Sequence, residues 1–198
     1  GVPFFAYVFW YTLGAGLVLA LVAAVRGELP KVDRAHLKAY GVAAVLGVAF
    51  PFALLAFVAP KLPSGVAVLL VILTPAFTYL FSLLARLERL HIMSIGGLVL
   101  GITGVLFIVV PSGSLPQAEM AGWFLLALLA PICFAGLNVY VEIVRPPETP
   151  SLSLAVGILF SSALMLLPLM LATGQFYIFP GPVRDGDLAL LGAVVINI

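Results

Sequence analysis

Long apolar runs alternate with short polar breaks along almost the whole chain. A helix needs about 20 mostly apolar residues to cross roughly 30 Å of hydrocarbon. Six runs meet that length, at 4–25, 38–58, 63–84, 92–110, 121–143 and 152–173, here called spans a to f. A seventh apolar run, span g, begins near Leu188 and reaches the last residue, Ile198. The breaks hold the Gly, Pro and charged residues that mark loops. They fall at 26–38, 59–63, 85–91, 111–120, 144–151 and 174–187. The runs are apolar all round and lack the alternation of a transmembrane barrel, so they predict helices. The expected fold class is an all-α membrane protein, a polytopic helical bundle with no soluble domain.

Composition agrees with that pattern. Hydrophobic residues make up 64% of the chain and charged residues 9%, against about 25% charged in an ordinary soluble domain. Nine Lys and Arg nearly cancel eight Asp and Glu, and no basic cluster points to nucleic acid. One cysteine, Cys133, cannot form an internal disulfide, and no Cys/His spacing suggests a metal site or a cofactor. The expected partner on composition is membrane lipid.

Charge sorts the loops into two sides. The a–b, c–d and e–f loops hold Arg26, Lys31, Arg34, Lys38, Arg86, Arg89 and Arg145, whereas the opposite side holds Lys61 and Arg184. The positive-inside rule makes the first side cytoplasmic, so the Arg26–Lys38 loop is expected there, in a prokaryotic plasma membrane. Residue 1 then falls outside. The chain starts with Gly and shows no signal sequence, so a further upstream helix is expected, and these 198 residues are not expected to transport alone.

Span a with its following loop resembles span f with its following loop. Each is a helix rich in small residues, then a Pro-containing polar loop, then Leu-x-x-x-Gly, at Leu37/Gly41 and Leu188/Gly192. Five helices separate the copies, and an odd period turns them in opposite directions. Inverted repeats are a recurrent transporter architecture.

The stretch FVAPKLPSGVAVLLVILTPAFTYLFSLLARLERLHIMSIGGLVLGITGVLFIVV, Phe57 to Val110, carries a more specific pattern. Pro75 is followed thirteen residues later by Glu88, with Gly97 and Gly104 nine and sixteen residues beyond the Glu. This spacing resembles the EamA-like branch of the drug/metabolite transporter superfamily. Leu87 departs from the Gly usual before that Glu. The run GWFLLALLAPICFAGLNVYVEI resembles the family's sixth helix. The resemblance implies ten helices in two inverted five-helix halves. Residues 1–110 would be helices two to five of the first repeat, and residues 119–198 helices six to eight of the second. It also implies a secondary transporter, an exporter of small organic metabolites such as amino acids or drug-like compounds, working by alternating access rather than catalysis. A membrane scaffold or assembly subunit without transport is the alternative, and an enzyme acting within the membrane comes third.

Several residues are candidates for lining a cavity. Pro75 interrupts a span, frees the carbonyl of Val71 and leaves Thr74 and Thr78 beside the gap. The interruption serves either a packing kink or a cavity wall, and Pro51 and Pro131 offer the same choice. Tyr7, Trp10 and Tyr11 share a helix face, as a pocket wall or as an interfacial aromatic belt. Asn138 places an amide at membrane depth, to hydrogen-bond across helices or to hold a solute. Phe50 completes the set, and spans a, b, c and e are expected to surround the cavity. Gly97, Gly101 and Gly104 form a small-residue face on which span d is expected to pack tightly. Glu88 reads either as a solvated or ion-paired loop carboxylate or, by the resemblance, as a gating contact. His36 and His91 are expected to face solvent. No ionisable residue falls near the centre of a complete span, so no coupling acid is visible. No hydrolase or metalloprotease motif is present.

Overall fold

The computed structural model describes residues 3–62, 70–109 and 121–177, without the side chains of 59, 105–109 and 121. Span g, Arg184, the second Leu-x-x-x-Gly, the start of span c and the d–e loop lie outside the described residues. The described secondary structure is helical. It comprises α1 (Phe4–Arg26), α2 (Arg34–Ala44), a π-helical turn (Val45–Ala49), α3 (Phe50–Val58), a 3-10 turn (Ala59–Lys61), α4 (Thr74–Leu84), α5 (Ile92–Val109), α6 (Ala121–Ala127), α7 (Leu129–Val144) and α8 (Ser151–Ala172). Among the described residues, four stretches are long and apolar enough to cross a membrane: Phe4–Arg26, Arg34–Val58, Gly122–Val144 and Ser151–Ala172. Leu70–Leu84 and Ile92–Gly104 are shorter apolar helices.

The chain divides into two compact units, Gly1–Ala49 with Val144–Ile198 and Phe50–Ile143. These units cut across the expected repeats. In the first unit, α1 and α2 pack against α8, which comes from the expected second repeat.

In the first unit α1 and α8 run antiparallel. Phe5 N–H, at the start of α1, donates to Gln175 Oε1 just past α8 (3.0 Å), while Ser153 Oγ, at the start of α8, donates to Leu29 O beyond α1 (3.3 Å). Small residues let the backbones approach: Ala6, Ala15, Gly16 and Ala23 are buried on α1, and Ser153, Gly157, Ser162 and Ala163 on α8. Tail-to-tail contact with lipid costs nothing, so van der Waals fit rather than the hydrophobic effect selects such an interface. The closest fit lies between α2 and α8, where a Cβ on Gly157 would come within 2.5 Å of the Tyr40 ring. Two buried hydroxyls return to their own helices, Thr12 on α1 donating to Val8 O (2.9 Å) and Ser162 on α8 to Ile158 O (2.8 Å), whereas Ser153 reaches across to Leu29. Large apolar side chains such as Val25 (89% exposed) and Leu164 (71% exposed) point outward, as a helix facing hydrocarbon requires.

The second unit has a smaller core. Val58, Leu62, Leu70 and Ala127 are buried together, with Trp123 and Phe124 packed against them. Phe57 tilts against Trp123 (5.7 Å between centroids), and Lys61 Nζ lies 5.9 Å from the same ring. Phe52 meets Phe134 edge to face at 6.2 Å.

The prolines shape the helices locally. Pro51 follows the π-helical turn; lacking an N–H it cannot bond Gly47 O, and the wider turn precedes that gap. Pro131 stands just after the interruption at Leu128 that separates α6 from α7. Both rings are fully buried, which settles their choice in favour of packing.

Candidate functional site

The site grows from the break before α4. Pro75 occupies the first turn of that helix, where its missing donor is tolerated. The helical turn upstream closes with Leu73 N–H to Leu70 O (3.1 Å). The carbonyl of Val71, which Pro75 cannot bond, accepts the Thr74 hydroxyl instead at 2.6 Å. The expected gap is therefore present, and Thr74 fills it.

From Thr74 onward, hydroxyls recur every fourth residue at Thr74, Thr78 and Ser82, which places them on one face of α4. All three line an open cleft of about 940 Å3 within the second unit. Asn138 on α7 also lines it, and its Nδ2 donates to Thr78 Oγ1 across the helices at 3.2 Å. That is the cross-helix bond expected of an amide at this depth. Val71, Ile72, Phe134 and Leu137 supply apolar walls. A second cavity of about 400 Å3 lies between α4 and α5, lined by Pro75, Tyr79, Gly97 and Gly101 among others.

Of the twelve residues expected at the site, Thr74, Pro75, Thr78, Asn138 and Glu88 gather on the large cleft, and Pro75, Gly97 and Gly101 on the smaller cavity. Gly104 and Phe50 line neither; Phe50 is 45% exposed. Tyr7, Trp10 and Tyr11 belong to the first unit and are half-buried there. The Trp10 indole donates to Tyr177 O at 2.8 Å.

Sequence reasoning missed Ser82, Tyr79, Phe134 and Leu137. The four-residue spacing of Thr74, Thr78 and Ser82 was the available signal for the first. Phe134 and Asn138, four apart on α7, were the signal for the third.

Two expectations need correction. The Gly97/Gly101/Gly104 face is not tightly packed among the described residues. A Cβ at any of the three would meet no described atom within 4 Å. His36 does not face solvent. It sits in the first turn of α2, 5% exposed. Asp33 caps this helix, accepting from Ala35 N (2.9 Å) and His36 N (3.0 Å), and its second oxygen lies 2.6 Å from His36 Nδ1. The other ring nitrogen, Nε2, is 2.9 Å from the hydroxyl of buried Thr149. Arg145 holds the same residue by donating from Nε and Nη2 to Thr149 O. Two loops far apart in sequence are thus clasped through one imidazole. Backbone donors and the His36 ring hold the Asp33 carboxyl below its ordinary value.

A family model adds the decisive observation: the EamA-like transporter family matches residues 1–110. That is more than half of the chain. The chain belongs to the EamA-like transporter family. No curated protein matches it, and no solved structure does. As an EamA-like member with several membrane-capable helices, it is a multi-pass membrane protein of the drug/metabolite transporter superfamily. The family is one of transporters rather than catalysts. The cleft between α4 and α7 of this EamA-like chain combines apolar walls with a polar stripe.

Proposed function

We propose that the protein is a secondary transporter that exports small organic metabolites across a prokaryotic plasma membrane by alternating access. The observation that carries this reading is the hydroxyl stripe Thr74/Thr78/Ser82, faced by Asn138, in a roomy cleft beside a helix break. Broken helices with polar groups at membrane depth are how transporters build solute sites. Family membership supplies the transport class.

On this reading residues 1–110 belong to the first of two inverted five-helix repeats and residues 119–198 to the second. Tyr7, Trp10, Tyr11 and Phe50 remain candidate solute-binding residues on this reading. The Arg26–Lys38 loop is cytoplasmic. The contact between His36 and Thr149 supports one part of this, since it joins the two loops that charge assigns to the same side. A Lys31→Cys variant should react with an impermeant thiol reagent only after the cells are permeabilised; labelling of intact cells would refute the orientation.

The function is tested by reconstitution. The natural gene product in vesicles should show saturable, trans-stimulated flux of amino acids or aromatic metabolites above empty vesicles. Absence of flux across a broad metabolite panel would refute transport.

A further inference from the structure

Among its described lining residues the cleft has one carboxyl group, Glu88, and the loop after α4 is built to put it there. At the end of α4, Leu87 N–H donates to Ser82 O (2.9 Å) and Arg86 N–H to Leu83 O (3.0 Å). This is the paired bonding of a Schellman motif, whose turning residue is normally Gly. Here Arg86 takes the left-handed conformation, at φ 60°, which is unfavourable for a residue that carries a side chain. The chain therefore doubles back over its own last turn. Tyr79 pins the returning strand: its hydroxyl accepts from His91 N–H (3.0 Å) and donates to Arg89 O (3.4 Å). The result sets Glu88 on the wall of the cleft that holds Ser82 and Asn138.

Three observations define what that wall would attract. First, Arg86, Arg89 and His91 stand within three positions of Glu88, yet among the described residues Glu88 makes no ion pair. Second, no Lys, Arg or His is among the described residues lining the cleft. Third, Asn138 gives its Nδ2 to Thr78, which leaves its oxygen as an acceptor. The polar end of the cleft thus offers the Asn138 oxygen as an acceptor beside the one carboxylate among its described lining residues. The stripe from Thr74 to Ser82 covers roughly 12 Å of helix axis, beside apolar walls.

We propose that the cleft selects solutes with an apolar body of about that length and a cationic nitrogen at one end, which pairs with the Glu88 carboxylate. This rests on the transporter reading for its purpose but not for its geometry. A carboxylate beside apolar walls also disfavours anions of the same shape.

The test uses three probes with one skeleton: 4-phenylbutylamine, 4-phenylbutanol and 4-phenylbutyrate. Binding is measured by titration calorimetry on the natural gene product in lipid nanodiscs, and flux in vesicles. The amine should bind more tightly than the alcohol, and the alcohol more tightly than the acid. Glu88→Gln should weaken the amine about tenfold, the worth of one charge-assisted pair, and leave the alcohol unchanged. Glu88→Asp should restore part of the preference, which a folding defect would not. Equal binding of amine and acid, an unchanged preference in Glu88→Gln, or no binding of any probe would overturn the proposal. Preference in binding without flux would uphold the site and refute transport. Flux without preference would do the reverse.

Discussion

The α1/α2/α8 unit and the α3–α7 unit use the same residue types to opposite ends. In the first, glycines are pressed against neighbours and the hydroxyls of Thr12 and Ser162 bond their own helices. In the second, the glycines of α5 meet no described atom within 4 Å, and Thr78 and Asn138 bond each other across a cleft. Small and polar residues at membrane depth do not by themselves distinguish a packing seam from a solute site. What separates Thr12 and Ser162 from Thr78 is where the hydroxyl goes. A hydroxyl returned to the i−4 carbonyl is consumed; one held across helices remains in reach of a ligand. Thr74 shows the boundary case, lining the cleft while satisfying the carbonyl that Pro75 leaves free.

The sharpest way to break this contrast is a pair of glycine substitutions. Gly157→Leu forces atoms into the buried Tyr40 ring, which lies 2.5 Å from the first added carbon. Overpacking of this kind costs about 1–3 kcal/mol or more, and the yield of monodisperse protein should collapse. Gly101→Leu meets nothing described within 4 Å, so its effect on stability should stay within about 0.5 kcal/mol. Equal damage from both, read by melting of the detergent-solubilised proteins, would erase the difference between the units.

The clasp in the first unit gives the next largest effect. Thr149→Val leaves the His36 ring without its buried partner, at a cost of about 1–3 kcal/mol. His36→Ala should be no worse when combined with it than alone, because the two share one interaction. Additive losses in the double variant would contradict the clasp.

Asn138→Ala sharpens the comparison from the other side. A hydrogen bond between membrane helices is worth only about 0.6 kcal/mol, so melting should change little. Transport should nevertheless fall, because the amide lines the cleft. A large stability loss with normal flux would make Asn138 a packing residue like Ser162.

The smallest effect is electrostatic. The Asp33 carboxyl is held below its ordinary value of 3.8, first by the His36 backbone donor. Its contribution is therefore complete above that value and is lost as pH falls through the lowered one. The stability gap between wild type and Asp33→Ala should narrow as pH falls below about that value. A gap that does not narrow on acidification below it would contradict the assignment.

Much of the fold was legible because hydropathy over about twenty residues is a strong, local signal. The break at Pro75 was legible for the same reason: proline's missing donor acts on the residue four back, whatever surrounds it. Asn138 was legible because an amide in hydrocarbon must find a partner. Other features depend on residues remote in sequence. His36 looked like a loop histidine because its partner, Thr149, lies 113 positions away. Gly157 matters through Tyr40, on another helix. Glu88 reaches the cleft through a left-handed turn at Arg86, where no glycine announces the turn. The Gly97/Gly101/Gly104 motif pointed to packing, but a motif records what a face permits and not what lies against it.

The central claim is that solute passes through the cleft between α4 and α7. Thr78→Trp puts an indole in that cleft at a position whose loss costs the fold little. Vesicles holding the natural gene product should lose saturable solute flux in this variant, while the protein still purifies as a folded, monodisperse species. Undiminished flux through a folded Thr78→Trp protein would show that the cleft is not the path.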